Sequence, residues 1–251
     1  MTEMSTNQRL NISIVAGRRP DLLWQTLRSF DEHLFQRCEV GTVKINVDPI
    51  FGNEEDGDKV LDCARYFFPN CVVNTPKEKS FTKAVQWLWA DMPDGMFLHI
   101  EDDWVCLEDI STKFPNDMLS TSSYTKMVTL LAENHGKSAQ RQERVRVKKF
   151  KLLGVTLKKT SFPTFGTSPC FLDGSFARSI SDKLDLRLDP EKQMRDGLNP
   201  PLIDFISRYK CYFQTSKNGG AIIKDIGREW RDNRGIIKTV KRGVSFWETM
   251  R

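Results

Sequence analysis

Long apolar runs are missing from this chain of 251 residues. With no stretch of about 18 apolar residues, nothing in it reads as a membrane-spanning helix. The opening MTEMSTNQRL is polar and lacks the apolar core of a secretory signal, which predicts a protein that stays in the cytoplasm. Histidine is scarce, and His33, His99 and His135 are too scattered for a zinc site. His99 lies in an apolar run and reads as a core residue. The cysteines, Cys38, Cys63, Cys71, Cys106, Cys170 and Cys211, are widely spaced and include no CxxC pair. That spacing supports neither a zinc site nor a disulfide framework and predicts buried, reduced thiols. No GxSxG, Walker or GxGxxG motif occurs, so hydrolase, kinase-like and dinucleotide-binding readings lack support. Internal repeats and low-complexity tracts are absent as well.

The chain does have a 39% hydrophobic share, with 16 Phe and 6 Trp, enough for one sizeable core. Its net charge of +5 is modest but uneven. Arg141, Arg144, Arg146, Lys148, Lys149 and Lys151 meet only Glu143 in their stretch. Arg228, Arg231, Arg234, Lys238, Lys241 and Arg242 meet Glu229 and Asp232. The acidic clusters Glu54-Glu55-Asp56 and Glu101-Asp102-Asp103 sit in the first half. A basic second half suits an anionic partner, such as nucleic acid or a phosphorylated glycan, and equally a plain solvated surface.

Periodicity organises the first hundred residues. Short β-rich runs at 11–16, 43–48, 71–74 and 96–100 read as strands. Between them, Leu23, Leu27 and Phe30, then residues 59–68, then Phe81, Ala84, Val85, Leu88 and Trp89 recur at helical spacing. Strand alternating with helix predicts a doubly wound α/β sheet with helices on both faces. Such sheets bind ligands beyond the carboxyl ends of their strands. That directs attention to Gly17-Arg18-Arg19, Asp48 and Glu101-Asp102-Asp103. Past residue 110 the pattern weakens. We expect a loop or short helix over 111–125, one or two strands over 144–157 and loops over 160–176. A helix near 201–209 and a strand over 221–225 complete the reading.

Three adjacent carboxylates after a buried strand repel one another unless a cation or basic groups compensate. Hard oxygen ligands suit Mg²⁺ or Mn²⁺, and such an ion can neutralise a leaving diphosphate.

The run Phe81-Thr82-Lys83-Ala84 followed by Gly95 to Trp104, with its Glu101-Asp102-Asp103, resembles the centre of GT-A glycosyltransferases of the family 2 kind. There a helix precedes an apolar strand ending in a DXD-like motif. Ile14 to Pro20 and Leu27 to Phe30 are similar to the family's first strand, basic loop and first helix. The resemblance implies a GT-A fold with a mixed sheet, read as one domain over 1–251. Residues 11–110 would form the donor half and 111–251 a loop-rich acceptor half. It also implies a nucleotide-sugar donor, with UDP the guess by family frequency, and a Mn²⁺ or Mg²⁺ cofactor.

By the same resemblance Asp103 is the most dependable metal ligand. Glu101 stands where Asp is more usual, and Asp225 stands where some members carry His. Ala16, Gly17, Arg18, Arg19 and Asp48 meet the nucleotide, and Asp102 faces its ribose or sugar. Lys83, with Lys79 nearby, lies by the donor pocket. Arg228, Arg231 and Arg234 recur at three-residue spacing, which on a closing loop would clamp the diphosphate and on an exposed helix would be an ordinary basic face. For an inverting reaction the base is Glu191 or Asp173, and the stereochemistry stays open. Arg144, Arg146, Lys148 and Lys149 are the expected acceptor contacts. The acceptor favoured is DNA carrying a hydroxymethylated base, as in phage-type DNA glycosyltransferases, which would place the protein in the host cytoplasm. Lipopolysaccharide or capsule glycan is the alternative acceptor. A nucleotidyltransferase and a non-catalytic nucleic-acid-binding protein are the alternative functions.

Overall fold

The computed structural model describes residues 9–136, 138, 140–152, 155–195 and 197–249, without the side chains at 148–160 and 249. The first half alternates as expected: β1 (Leu10–Ala16), α1 (Pro20–His33), β2 (Val40–Val47), α2 (Glu54–Phe67), β3 (Val72–Asn74), α3 (Phe81–Trp89) and β4 (Met96–Glu101). Helix α2 starts earlier than its apolar periodicity suggests, because Asn53 caps it in a capping box with Asp56. There follow β5 (Trp104–Cys106), α4 (Lys113–Thr121), β6 (Thr125–Leu130), β7 (Val145–Leu152), β8 (Val155–Pro163), β9 (Cys170–Asp173) and α5 (Gly174–Ser181). The chain continues through α6 (Pro190–Arg195), α7 (Pro200–Ile206), β10 (Lys210–Gln214), β11 (Ile223–Asp225), α8 (Gly227–Asp232), β12 (Ile236–Lys241) and β13 (Val244–Thr249).

Seven strands form one sheet in the order β10-β6-β9-β4-β1-β2-β3. It is mixed: β9 runs antiparallel to both β4 and β6, and the other pairings are parallel. The expected loop at 160–176 thus contains a central strand, β9. Alternate side chains along each strand feed two separate cores. Ile12, Ile14, Leu98 and Ile100 pack with α1 and α2 residues such as Leu27 and Val60. Val15 and Phe97 pack on the opposite face with α3 and α5 residues such as Leu88 and Phe176. His99 is fully buried, with Nδ1 2.7 Å from Ser13 Oγ and accepting from Trp89 Nε1 at 3.2 Å. Burial drives its pKa down to about 3. All six cysteines are free, and burial lifts the Cys63 thiol to about 12. No described helix is long and apolar enough to cross a membrane.

Among the described residues, three two-stranded ribbons stand outside the main sheet: β5 with β11, β7 with β8, and β12 with β13. The last turns at Arg242-Gly243, where φ is 51° and 81°. Two successive positive φ values suit the tight hairpin turn that matches strand twist.

Candidate active site

Because β1, β2 and β4 are parallel neighbours, the loops after them gather at one edge of the sheet. Facing those loops are α6, β11, α8 and the β12–β13 hairpin. A cleft of about 700 Å³ lies between the two walls, within the size range of small-molecule sites.

Arg19 organises the cleft floor. It immediately precedes Pro20, which opens α1. Its Nε donates to Asp102 Oδ2 at 3.2 Å, and its Nη2 donates to Asp102 Oδ1 and, at 3.2 Å, to Asp103 Oδ2. The backbone N–H of Gly17 donates to Asp102 Oδ2 at 2.9 Å. Both oxygens of Asp102 are therefore spent on fixing the β1 loop. Burial opposes the Arg19 charge, but Asp102 and Asp103 outweigh it and hold the guanidinium pKa above its usual value. Burial lifts the Asp102 pKa above its usual value, to about 6, against the pull of Arg19. Arg19 Nη1 is buried with no hydrogen-bond partner among the described residues.

Asp103 also faces Arg231 Nη1 at 3.6 Å. Gly227 begins α8 where any Cβ would strike the Asp103 carboxylate, so only glycine lets this helix approach so closely. Asp225 ends β11, and its Oδ1 accepts from the N–H groups of Gly227 at 2.9 Å and Arg228 at 3.1 Å. Glu101 sits at the end of β4. Its pKa is well above the carboxylate range, first through burial, then through repulsion by Asp103 and Glu191.

Glu191 reaches the cleft from α6. Pro190 opens that helix, and Asp189 Oδ1 accepts from the N–H groups of Glu191 at 3.0 Å and Lys192 at 3.1 Å. The Glu191 carboxylate is held on both oxygens, by Thr167 N–H at 3.3 Å and Arg195 Nη2 at 2.9 Å. The second oxygen of Asp189 accepts from Ser245 Oγ at 2.7 Å and so ties β13 to the same loop. Asp48 accepts from Ser80 N–H at 2.9 Å and Asn46 Nδ2 at 2.8 Å. Burial nevertheless raises its pKa. Phe51 and Trp247 line the cleft, and Phe51 lies edge-on to Trp247 at 5.2 Å and, behind it, to Trp230 at 5.9 Å. Phe51 holds this place with φ at 71°, a backbone region costly for non-glycine residues and frequent at ligand sites.

No protein-family model matches the chain, and no curated protein matches its sequence. Solved structures do resemble it. GalNAc-T7, crystallised with UDP, GalNAc and Mn²⁺, superposes with TM-score 0.57 at 12% identity over 88% of this chain. The 1–349 fragment of S. aureus TarS gives TM-score 0.54 at 10% identity over 88% of the chain. CMP:2-keto-3-deoxy-manno-octonic acid synthetase complexed with CTP gives 0.50 at 10% identity over 90%. The chain spans 44% of GalNAc-T7 and 61% of the TarS fragment, but 97% of the synthetase.

The fold is GT-A.

Glycosyltransferases and nucleotidyltransferases share this GT-A architecture, so the likeness establishes the fold and leaves the reaction to the cleft. Among the described residues no three His, Cys, Asp or Glu side chains converge as a metal-holding group. The acids nonetheless suit a hard cation. Their donors are all oxygen, and Glu101 is pushed toward its neutral form by burial and then by two neighbouring carboxylates. Mg²⁺-like ions are commonly held by one or two carboxylates plus ligand phosphates rather than by an all-protein cage.

Of the residues singled out in the sequence, the cleft gathers Ala16, Gly17, Arg19, Asp48, Glu101, Asp102, Asp103, Glu191, Asp225, Arg228 and Arg231. Lys79 lines it too. The others lie elsewhere. Arg18 turns outward to Glu54, 2.7 Å away, and Lys83 is exposed, 3.6 Å from Glu78. Asp173 sits at the far end of the sheet: it pairs with Met96, the first residue of β4, and its side chain caps α5. Arg144 is buried, donating to Thr129 Oγ1 at 3.1 Å, and so is no surface contact. Arg146 lines a smaller cavity beside Phe162 and Met194. Lys148 and Lys149 fall in β7, and their side chains lie outside the described residues. Sequence reading missed Phe51, Asp189, Trp230 and the whole β12–β13 hairpin. Arg242-Gly243 between alternating segments was the available signal for that hairpin, weaker than Asn-Gly or Asp-Gly.

Proposed function

We propose that the protein transfers a sugar from a nucleotide-sugar donor to a hydroxyl acceptor. One observation carries this reading: a strand-end carboxylate, Asp103, shares a cleft with arginine donors and with a second, separately held carboxylate, Glu191. Arg228, Arg231 and the unpartnered Nη1 of Arg19 offer charge-assisted hydrogen bonds to a diphosphate. Asp48 and the Phe51 wall suit the ribose and base. Asp102 acts through Arg19, holding its guanidinium in place.

Asp103, with Glu101 or Asp225 beside it, would hold Mn²⁺ or Mg²⁺ together with the donor's phosphates. When bound, such an ion neutralises charge on the leaving nucleoside diphosphate. Glu191 takes the proton of the attacking hydroxyl. Arg195 and Thr167 fix its carboxylate, so its orientation is set before substrate arrives. A carboxylate base acting on the acceptor hydroxyl suits an inverting reaction. The acceptor is a hydroxyl on an anionic molecule. Hydroxymethylated DNA ranks ahead of lipopolysaccharide or capsule glycan because the second half of the chain carries two basic runs.

The test incubates the protein and Mn²⁺ with a panel of nucleotide sugars, with hydroxymethylated duplex DNA or glycan as acceptor. The expected result is release of nucleoside diphosphate and a mass gain of one sugar on the acceptor. Release of pyrophosphate from a nucleoside triphosphate and a sugar 1-phosphate, without transfer, would replace this reading by nucleotidyl transfer.

A further inference from the structure

We infer that Asp189 is a positioning residue that couples the β12–β13 hairpin to Glu191, so that the base is set when the hairpin is seated on the cleft. The inference deepens the transfer reading and rests on it for the role of Glu191.

The sequence prepares the contact. Pro190 opens α6, which leaves the residue before it to cap the helix. Asp189 is a short acceptor in that place. One oxygen is enough for a cap, and Oδ1 serves it, accepting from the N–H groups of Glu191 at 3.0 Å and Lys192 at 3.1 Å. Oδ2 is left for the hairpin. It accepts from Ser245 Oγ at 2.7 Å and lies 4.0 Å from Lys238 Nζ, so it meets both strands. Ser or Asn would cap as well, yet a carboxylate stands here at 7% exposure.

The hairpin leans on this joint. β12 and β13 pair with each other and with no other described strand, and a lone two-stranded hairpin is marginally stable. Among the described residues, its backbone bond to the body is again at Asp189, whose N–H donates to Gly243 O at 2.8 Å. Gly243 fits because it has no side chain: its φ is 81°, and a Cβ there would strike Leu198. The other anchor is Trp247, edge-on to Phe51 at 5.2 Å, with the Arg231 guanidinium 5.1 Å from its ring. The hairpin thus touches an arginine assigned to the diphosphate and the cap of the helix that carries the base.

The coupling follows from rotamers. Ser245 and the Gly243 bond hold the Asp189 side chain in one of its staggered positions. With the hairpin unseated, the carboxylate turns, and the first N–H groups of α6 lose their acceptor. Glu191 is in that first turn. Arg195, which grips its carboxylate, is on the same helix and moves with it.

The experiment has two readouts. Hydrogen exchange of the Glu191 and Lys192 amides is followed in wild type and Ser245→Ala without substrate. Ser245→Ala leaves the cap atoms in place, so the fold is kept, and exchange should quicken at least about threefold. In transfer assays Ser245→Ala should lower kcat about fivefold. In a Glu191→Gln background the same change should cost less than about 1.5-fold, because nothing is left to position. Asp189→Asn keeps an oxygen for the cap and a polar partner for Ser245, and should stay within about threefold of wild type. Unchanged exchange at Glu191 and Lys192 overturns the proposal. An equal kcat cost in both backgrounds does so too, since it marks a merely structural contact. A loss in Asp189→Asn as deep as that of Glu191→Gln also overturns it, by making Asp189 the proton acceptor. Quickened exchange without transfer to any acceptor would keep the coupling and remove the transfer reading. Transfer with unchanged exchange would do the reverse.

Discussion

The two ends of β4 carry acids with opposite fates. At the carboxyl end, Glu101, Asp102 and Asp103 crowd a cleft, and only Asp102 is fully engaged by backbone and arginine donors. At the amino end, about 16 Å away along an extended strand, Met96 pairs with Asp173. Burial works against the Asp173 charge, yet bonds from Ser175 Oγ at 2.5 Å and Phe176 N–H at 2.8 Å, with Lys126 at 3.3 Å, pull its pKa below the usual range. An acid whose lone pairs are spent on a helix cap is structural. An acid pressed against other acids holds electrostatic energy that a cation or a substrate can release.

The sharpest way to break this contrast is Asp103→Ala. It should lower transfer by about 10³-fold or more, roughly 4 kcal/mol of transition-state stabilisation, with the melting temperature little changed. Full activity with Mn²⁺ present would remove Asp103 from the chemistry. Next come the two acids nominated as base. Glu191→Gln should cut kcat by about 10²- to 10⁴-fold while sparing donor affinity. Asp173→Asn should leave kcat within about twofold and cost at most about 1 kcal/mol of stability as a weakened cap. Steady-state kinetics with denaturant melts separates the pair, and the reverse pattern would exchange their roles.

A third comparison sets Arg231, 3.6 Å from Asp103, against Arg18, which is paired with Glu54. Arg231→Ala should weaken nucleoside diphosphate binding about tenfold in calorimetry, and Arg18→Ala about twofold or less. A separate effect, on stability rather than activity, concerns His99. Its folded pKa, about 3, lies below the usual 6.5. Between those values the unfolded chain binds a proton that the folded chain refuses, so stability is present above pH 6.5 and is lost as pH falls. That loss should disappear from the pH dependence of His99→Phe, whatever that variant's absolute stability.

The wall built from the loops after β1, β2 and β4 was legible in the sequence because regular alternation of strand and helix announces which loops share an edge. The opposite wall was not. Strand β9 has only four residues, Cys170–Asp173, among prolines and glycines, and reads as loop although it sits at the sheet centre. β12 and β13 are joined by Arg-Gly, a weak hairpin signal. Arg18 and Arg19 are neighbours of identical type, and only the loop path decides that one meets Glu54 and the other Asp102. Arg144 illustrates the same limit: a basic residue in a basic run turned inward to Thr129.

The most direct test of the central claim is the melting temperature of wild type and Asp103→Ala with nucleoside diphosphates, with and without Mn²⁺. Ligand that binds only the native state raises the melting temperature by mass action. The account predicts a rise for one nucleoside diphosphate that requires both Mn²⁺ and Asp103. A rise independent of both, or no rise for any nucleotide with folded wild type, would contradict it.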